Sequence, residues 1–101
     1  MKGILLTEFG KPYTFSSDIP APKITNDNDV LIKVAVAGYC RSEKLIQDGE
    51  FALMMQGREL PMVPSHECAG VVVQVGANVK NVKVGRLILS RVYISCPHEQ
   101  V

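Results

Sequence analysis

Residues 63 to 76 read "VPSHECAGVVVQVG". The β-branched run between Gly70 and Gly76 is the signature of a strand, since branched side chains pack well on a pleated surface. His66 and Glu67 stand side by side just ahead of it. Polar pairs of this kind usually sit in loops, whereas these sit at the mouth of an apolar strand. Either they are ordinary edge residues, or they are one half of a site.

Upstream, "DVLIKVAVAGY" carries Val30, Ile32, Val34 and Val36 on one face and Leu31, Lys33, Ala35 and Ala37 on the other. Both faces are mostly apolar, which predicts a well-buried strand ending at Gly38. "SEKLIQDG" predicts a short helix, with Ser42 as its N-terminal cap and Gly49 closing it. "KGILLTEF" and "YTFSSDI" read as strands joined by the hairpin connection "FGKPY". "PAPKITNDND" is an exposed irregular link. "EFALMMQGRELPMVP" is ambiguous between a helical turn and an apolar loop, "ANVKNVKVG" is turn-rich, and "RLILSRVYIS" reads as a last strand. Five or six strands, one secure short helix and no βαβ alternation imply a mainly β, partly open barrel with one or two short helices.

The 101 residues suit one small domain spanning 1–101. Eleven basic and ten acidic residues give a net charge of +1 without a basic stripe, so nucleic acid is not expected as a partner. The opening "MKGILLTEFG" is too short in apolar residues for a signal core, and no run reaches membrane-spanning length. The expected location is cytoplasmic. Cys40, Cys68 and Cys96 are odd in number, which argues against a disulfide framework in that compartment. Their equal spacing does not mark a repeat, because the flanking residues share no register. No G-x-G occurs anywhere, so the dinucleotide-binding fingerprint is missing from these residues.

Cys40 falls where a strand stops and a helix starts, a place that favours a thiolate. On the residues alone, Cys40 is either a small packed thiol or a metal ligand. His66 is either a hydrogen-bonded structural histidine or a second ligand, and Glu67 is either a solvated carboxylate or part of the same half-site. Two residues 26 positions apart make no local metal signature, so these alternatives stay open.

"AGYCRSE" (37–43) resembles the G-x-C-[His/Arg]-[Ser/Thr]-[Asp/Glu] segment of the zinc-dependent alcohol dehydrogenases, within the medium-chain dehydrogenase/reductase superfamily. "VPSHECAGVVVQVGANVKNVKVG" is similar to that family's G-H-E-x-x-G segment and the glycine-bounded turns after it. Order, spacing and the opening "MKGILLTEFGKP" agree, and the likeness covers essentially the whole chain. It implies a GroES-like β-barrel and a catalytic zinc held by Cys40, His66 and Glu67. It implies that Ser42 passes the substrate's proton, that Glu43 orients the ligand histidine, and that Arg41 contacts the cofactor pyrophosphate. The implied chemistry is hydride exchange between a small alcohol or aldehyde and NAD(P).

Several positions depart from that pattern. Ser65 stands where the family has glycine, and serine is strained there if the backbone needs a positive φ. Glu43 is one methylene longer than the usual aspartate, and Arg86 replaces the aspartate expected after Gly85. "ISCPHEQV" begins like a structural zinc lobe at Cys96, but Glu99 stands where a second cysteine belongs, and His98 does not complete the set. The third customary zinc ligand and the NAD(P)-binding domain lie beyond the residues that match, so the expectation is a truncated catalytic segment, inactive alone. It would need self-association or a separate cofactor-domain chain. Two alternatives come from other classes: a ring-forming GroES-like co-chaperonin subunit, suggested by size and fold, and a non-enzymatic remnant or binding module, suggested by the departures at Ser65, Arg86 and Glu99.

Overall fold

The valine-rich runs seek one another, because each carries one face that must leave water and a backbone that must be paired. A computed structural model describes residues 1–50 and 59–90. In chain order they form β1 (Gly3–Leu5), β2 (Thr14–Ser16), β3 (Val30–Ala37), α1 (Arg41–Asp48), β4 (Cys68–Val75) and β5 (Leu87–Ser90). The expectations placed on Cys96, His98 and Glu99, on the last strand beyond Ser90, and on residues 51–58 lie outside the described residues.

The strands make two antiparallel sheets, β1–β2 and β3–β4–β5, so the described residues are mainly β without a closed barrel. The "FGKPY" hairpin holds: Gly3 faces Ser16 and Leu5 faces Thr14. Leu6 and Met62 exchange both backbone hydrogen bonds, at 2.8 and 3.0 Å, tying the segment before β4 to the end of β1. Leu6 and Val72 are fully buried and Ile19 nearly so.

The β3–β4 ladder positions the site. Val30 faces Val75 at one end and Ala37 faces Cys68 at the other, with register shifts at Leu31/Ile32 and Val34/Val36. Residues just after β3 and just before β4 therefore leave the sheet from the same end. Gly70 and Gly76 mark where backbones press together. A Cβ on Gly70 would lie 2.3 Å from the Lys33 carbonyl oxygen, and one on Gly76 would lie 2.2 Å from that of Asp27. At Gly76 the contact is fixed by two bonds: its N–H donates to Asp29 O at 2.8 Å, and Asn78 N–H donates to Asp27 O at 2.9 Å. Gly76→Ala must break this strap, and we expect a loss of at least about 2 kcal/mol, because overpacking against backbone cannot relax through a rotamer. Urea unfolding midpoints of the two proteins check it.

One expectation about β3 is corrected. Its two apolar faces predicted deep burial, yet Val34 and Val36 are 51% and 62% exposed. Along β4 the even positions Gly70 and Val72 are buried while Val71 and Val73 are exposed. A single three-stranded sheet buries one face; among the described residues no second layer covers the other. The helix boundary also moves. Cys40, not Ser42, is the N-cap, and helix α1 begins at Arg41.

Candidate metal centre

Antiparallel pairing at Ala37↔Cys68 continues one step past the strands. Gly38 N–H donates to the Glu67 carbonyl at 2.6 Å, and Ser65 Oγ–H donates to the Gly38 carbonyl at 3.2 Å. Ser65 adopts φ 95°, the region that favours glycine. The strain anticipated at this position is present, and the Gly38 bond partly offsets it. These links lay the segment carrying His66 beside the start of α1.

The start of α1 is built by a reciprocal cap. The Cys40 thiol accepts from Ser42 N–H at 3.3 Å, and Cys40 N–H donates to Glu43 Oε2 at 2.7 Å. This is a capping box with cysteine in the place usually held by serine. The Cys40-x-x-Glu43 spacing was the signal for it in the sequence; the hydroxyl of Ser42 obscured it. Gly49 closes the helix in the left-handed region, φ 80°, with its N–H on Ile46 O.

Three donor side chains converge at this junction. One ligand atom each from Cys40, His66 and Glu67 lie within 4.8 Å of one another. His66 Nε2 stands 3.3 Å from Cys40 Sγ and 3.8 Å from Glu67 Oε1. A tetrahedral zinc with bonds of about 2.3 Å to sulfur and about 2.0–2.1 Å to nitrogen separates those two atoms by roughly 3.5 Å. The spacing of thiol and imidazole therefore fits zinc, and so does the mixed sulfur, nitrogen and oxygen donor set. Cys40 and His66 are half-buried and Glu67 is exposed, so the cluster opens to solvent on the Glu67 side.

Glu43 stands behind the histidine. Its side chain is 1% exposed, and its Oε1 lies 2.9 Å from His66 Nδ1. Oε1 is buried without a well-aligned hydrogen bond, and the imidazole Nδ1 is the polar group that faces it. That arrangement turns the lone pair of Nε2 toward Cys40 and Glu67, as a metal-binding histidine requires. Burial alone would raise the Glu43 carboxyl. Hydrogen bonds from Cys40 and from backbone amides, with the nearby His66 imidazole, outweigh burial and hold it below the usual carboxylate range.

Ser42 Oγ touches both inner ligands, at 2.6 Å from Cys40 Sγ and 3.3 Å from His66 Nε2. Arg41 is exposed at the first helical position and stands outside the cluster. Of the six site residues read from the sequence, five gather at one point and Arg41 flanks it. Sequence reasoning missed Tyr13, whose phenol O–H donates to the Glu43 backbone carbonyl at 2.5 Å from 30 residues away. No local pattern signals that contact.

The sequence model of a family described as the alcohol dehydrogenase GroES-like domain matches residues 26–100. The chain is 40% identical over 90 residues to the D-arabitol-phosphate dehydrogenase of Enterococcus avium, covering 89% of this chain and 24% of that one. It is 31% identical over 97 residues to an alcohol dehydrogenase of Geobacillus stearothermophilus, covering 95% and 27% respectively. The chain thus spans about a quarter of the length of these curated relatives. Among solved structures, the alcohol dehydrogenase of the archaeon Aeropyrum pernix matches with a TM-score of 0.79 at 26% identity, over 88% of this chain and 25% of that one.

Proposed function

The chain belongs to the alcohol dehydrogenase GroES-like domain family, and from that membership we propose that it is the zinc-holding portion of an NAD(P)-dependent enzyme interconverting small alcohols and aldehydes. The observation that carries this reading is the meeting of Cys40, His66 and Glu67 at one point. Zinc held there by Cys40, His66 and Glu67 would supply a Lewis acid for an alcohol or carbonyl oxygen.

The chain's own residues divide the remaining work. Cys40 gives a thiolate, His66 its Nε2 and Glu67 a carboxylate oxygen. Glu43 fixes the histidine tautomer from the side away from the ligands. The Ser42 hydroxyl, in contact with both inner ligands, takes and returns the proton of a substrate hydroxyl in this reading. Arg41, outside the cluster, offers a planar guanidinium fork to the cofactor diphosphate. These residues contain no G-x-G turn to seat a dinucleotide. Hydride transfer is therefore expected only together with a cofactor-binding domain, whether continuous with this chain or separate from it.

The family match and the named activities of the relatives favour this reading over a ring-forming co-chaperonin, which has no use for a thiol–imidazole pair. Metal analysis of the purified protein checks it: about one zinc per chain is expected. A zinc content far below one per chain under zinc-replete purification contradicts it.

A further inference from the structure

We propose that Tyr13 is a positioning residue for the metal centre, acting from the β1–β2 loop through Glu43. The inference rests on the zinc reading above and adds a residue that its motifs do not contain. The loop lies along α1 and is fastened to it at three points. Gly10 N–H donates to Gln47 O at 2.6 Å, Gln47 Nε2–H donates to Lys11 O at 2.8 Å, and Tyr13 O–H donates to Glu43 O at 2.5 Å.

The first two bonds lie toward the C-terminal end of the helix, away from the cluster. The third is different in kind, because it grips the backbone of the residue whose carboxylate faces His66. From Tyr13 the chain of contacts runs through the Glu43 backbone to its Oε1, then 2.9 Å to His66 Nδ1, and across the ring to Nε2, 3.3 Å from Cys40 Sγ. The same Glu43 side chain accepts the Cys40 N–H through Oε2. A shift of the Glu43 backbone thus moves the supports of two ligands together. The Tyr13 phenol is half-buried, and burial, followed by the nearby Tyr39, Glu43 and Asp48, raises its pKa, which keeps it a neutral donor.

The test compares Tyr13→Phe with Gln47→Ala, a control that loses loop–helix fastening without touching Glu43. Zinc affinity is read by competition with a chromophoric chelator, and ligand geometry by the visible absorption of the Co²⁺-loaded protein. Tyr13→Phe is expected to weaken zinc binding by roughly 3- to 10-fold, below the 10–100-fold typical of groups that contact a ligand directly, and to change the Co²⁺ spectrum. Gln47→Ala is expected to leave the affinity within about twofold and the spectrum unchanged, by the same comparison. In a Glu43→Gln background, where the contact to His66 is weakened, the Tyr13→Phe effect should shrink, since it acts through that side chain. Equal effects of Tyr13→Phe and Gln47→Ala, an unchanged Tyr13→Phe, or full additivity with Glu43→Gln overturns the role of Tyr13 while leaving the zinc reading intact. Failure of the unmutated protein to bind either metal removes both.

Discussion

Cys40→Ala and His66→Ala are each expected to weaken zinc binding by roughly 100-fold or more. Structural zinc sites bind with about 10–16 kcal/mol over four ligands, so one ligand carries about 3 kcal/mol, which is two orders of magnitude in affinity. The sulfur and nitrogen are the two closest members of the cluster, at 3.3 Å, and both come from half-buried residues. Glu67 is exposed and its oxygen is 3.8 Å from the imidazole, so Glu67→Ala should cost less than either. Competition against a chelator of known affinity ranks the three. An order in which Glu67 dominates and Cys40 is dispensable would contradict the proposed ligand roles.

The second large effect is expected at Glu43, and there it falls on folding. Glu43→Ala removes one arm of the capping box, leaves Cys40 N–H without its partner, strips His66 Nδ1 of its facing carboxylate and opens a void around a 1% exposed position. A lost cap costs about 1 kcal/mol, and an unpaired buried donor about 1–3 kcal/mol, so a loss of about 2–4 kcal/mol is expected in urea unfolding. Glu43→Gln keeps the volume and an acceptor but loses the charge, and should cost only about 1 kcal/mol in stability while lowering zinc affinity by roughly 10–100-fold. The pH dependence has a definite sign. The folded-state carboxyl is held below its ordinary value, so its contribution is complete above the ordinary carboxylate range and fades as pH falls through the lowered value. Stability of the unmutated protein should therefore decline on acidification more steeply than that of Glu43→Gln.

Much of the site was legible because the strands that deliver it are. The β-branched runs of β3 and β4 have a clear signal, and once they pair antiparallel, Ala37 opposite Cys68 brings Cys40 and His66 to one end of the ladder. The pattern of alternating apolar residues could not reveal how much of β3 would be covered. Burial depends on a second layer, and Val34 and Val36 read the same whether or not one is present. The helix start was misplaced by two residues because Ser42 is a common cap and cysteine a rare one; the Glu43 partner three residues after Cys40 was the better guide. Ser65 was readable as a strained position only through the resemblance, since nothing local demands a positive φ there. Tyr13 was invisible for a different reason. Its contact depends on how the β1–β2 loop lies against α1, and that follows from packing, not from any residue spacing.

The central claim is that the thiol capping α1 and the imidazole preceding β4 share one metal ion. Co²⁺ titration of the unmutated protein tests it most directly, because thiolate coordination produces an intense near-ultraviolet charge-transfer band. The account predicts a band that saturates at one Co²⁺ per chain, disappears in Cys40→Ser and is displaced by Zn²⁺. A band that survives intact in Cys40→Ser, or no band in the unmutated protein, would contradict it.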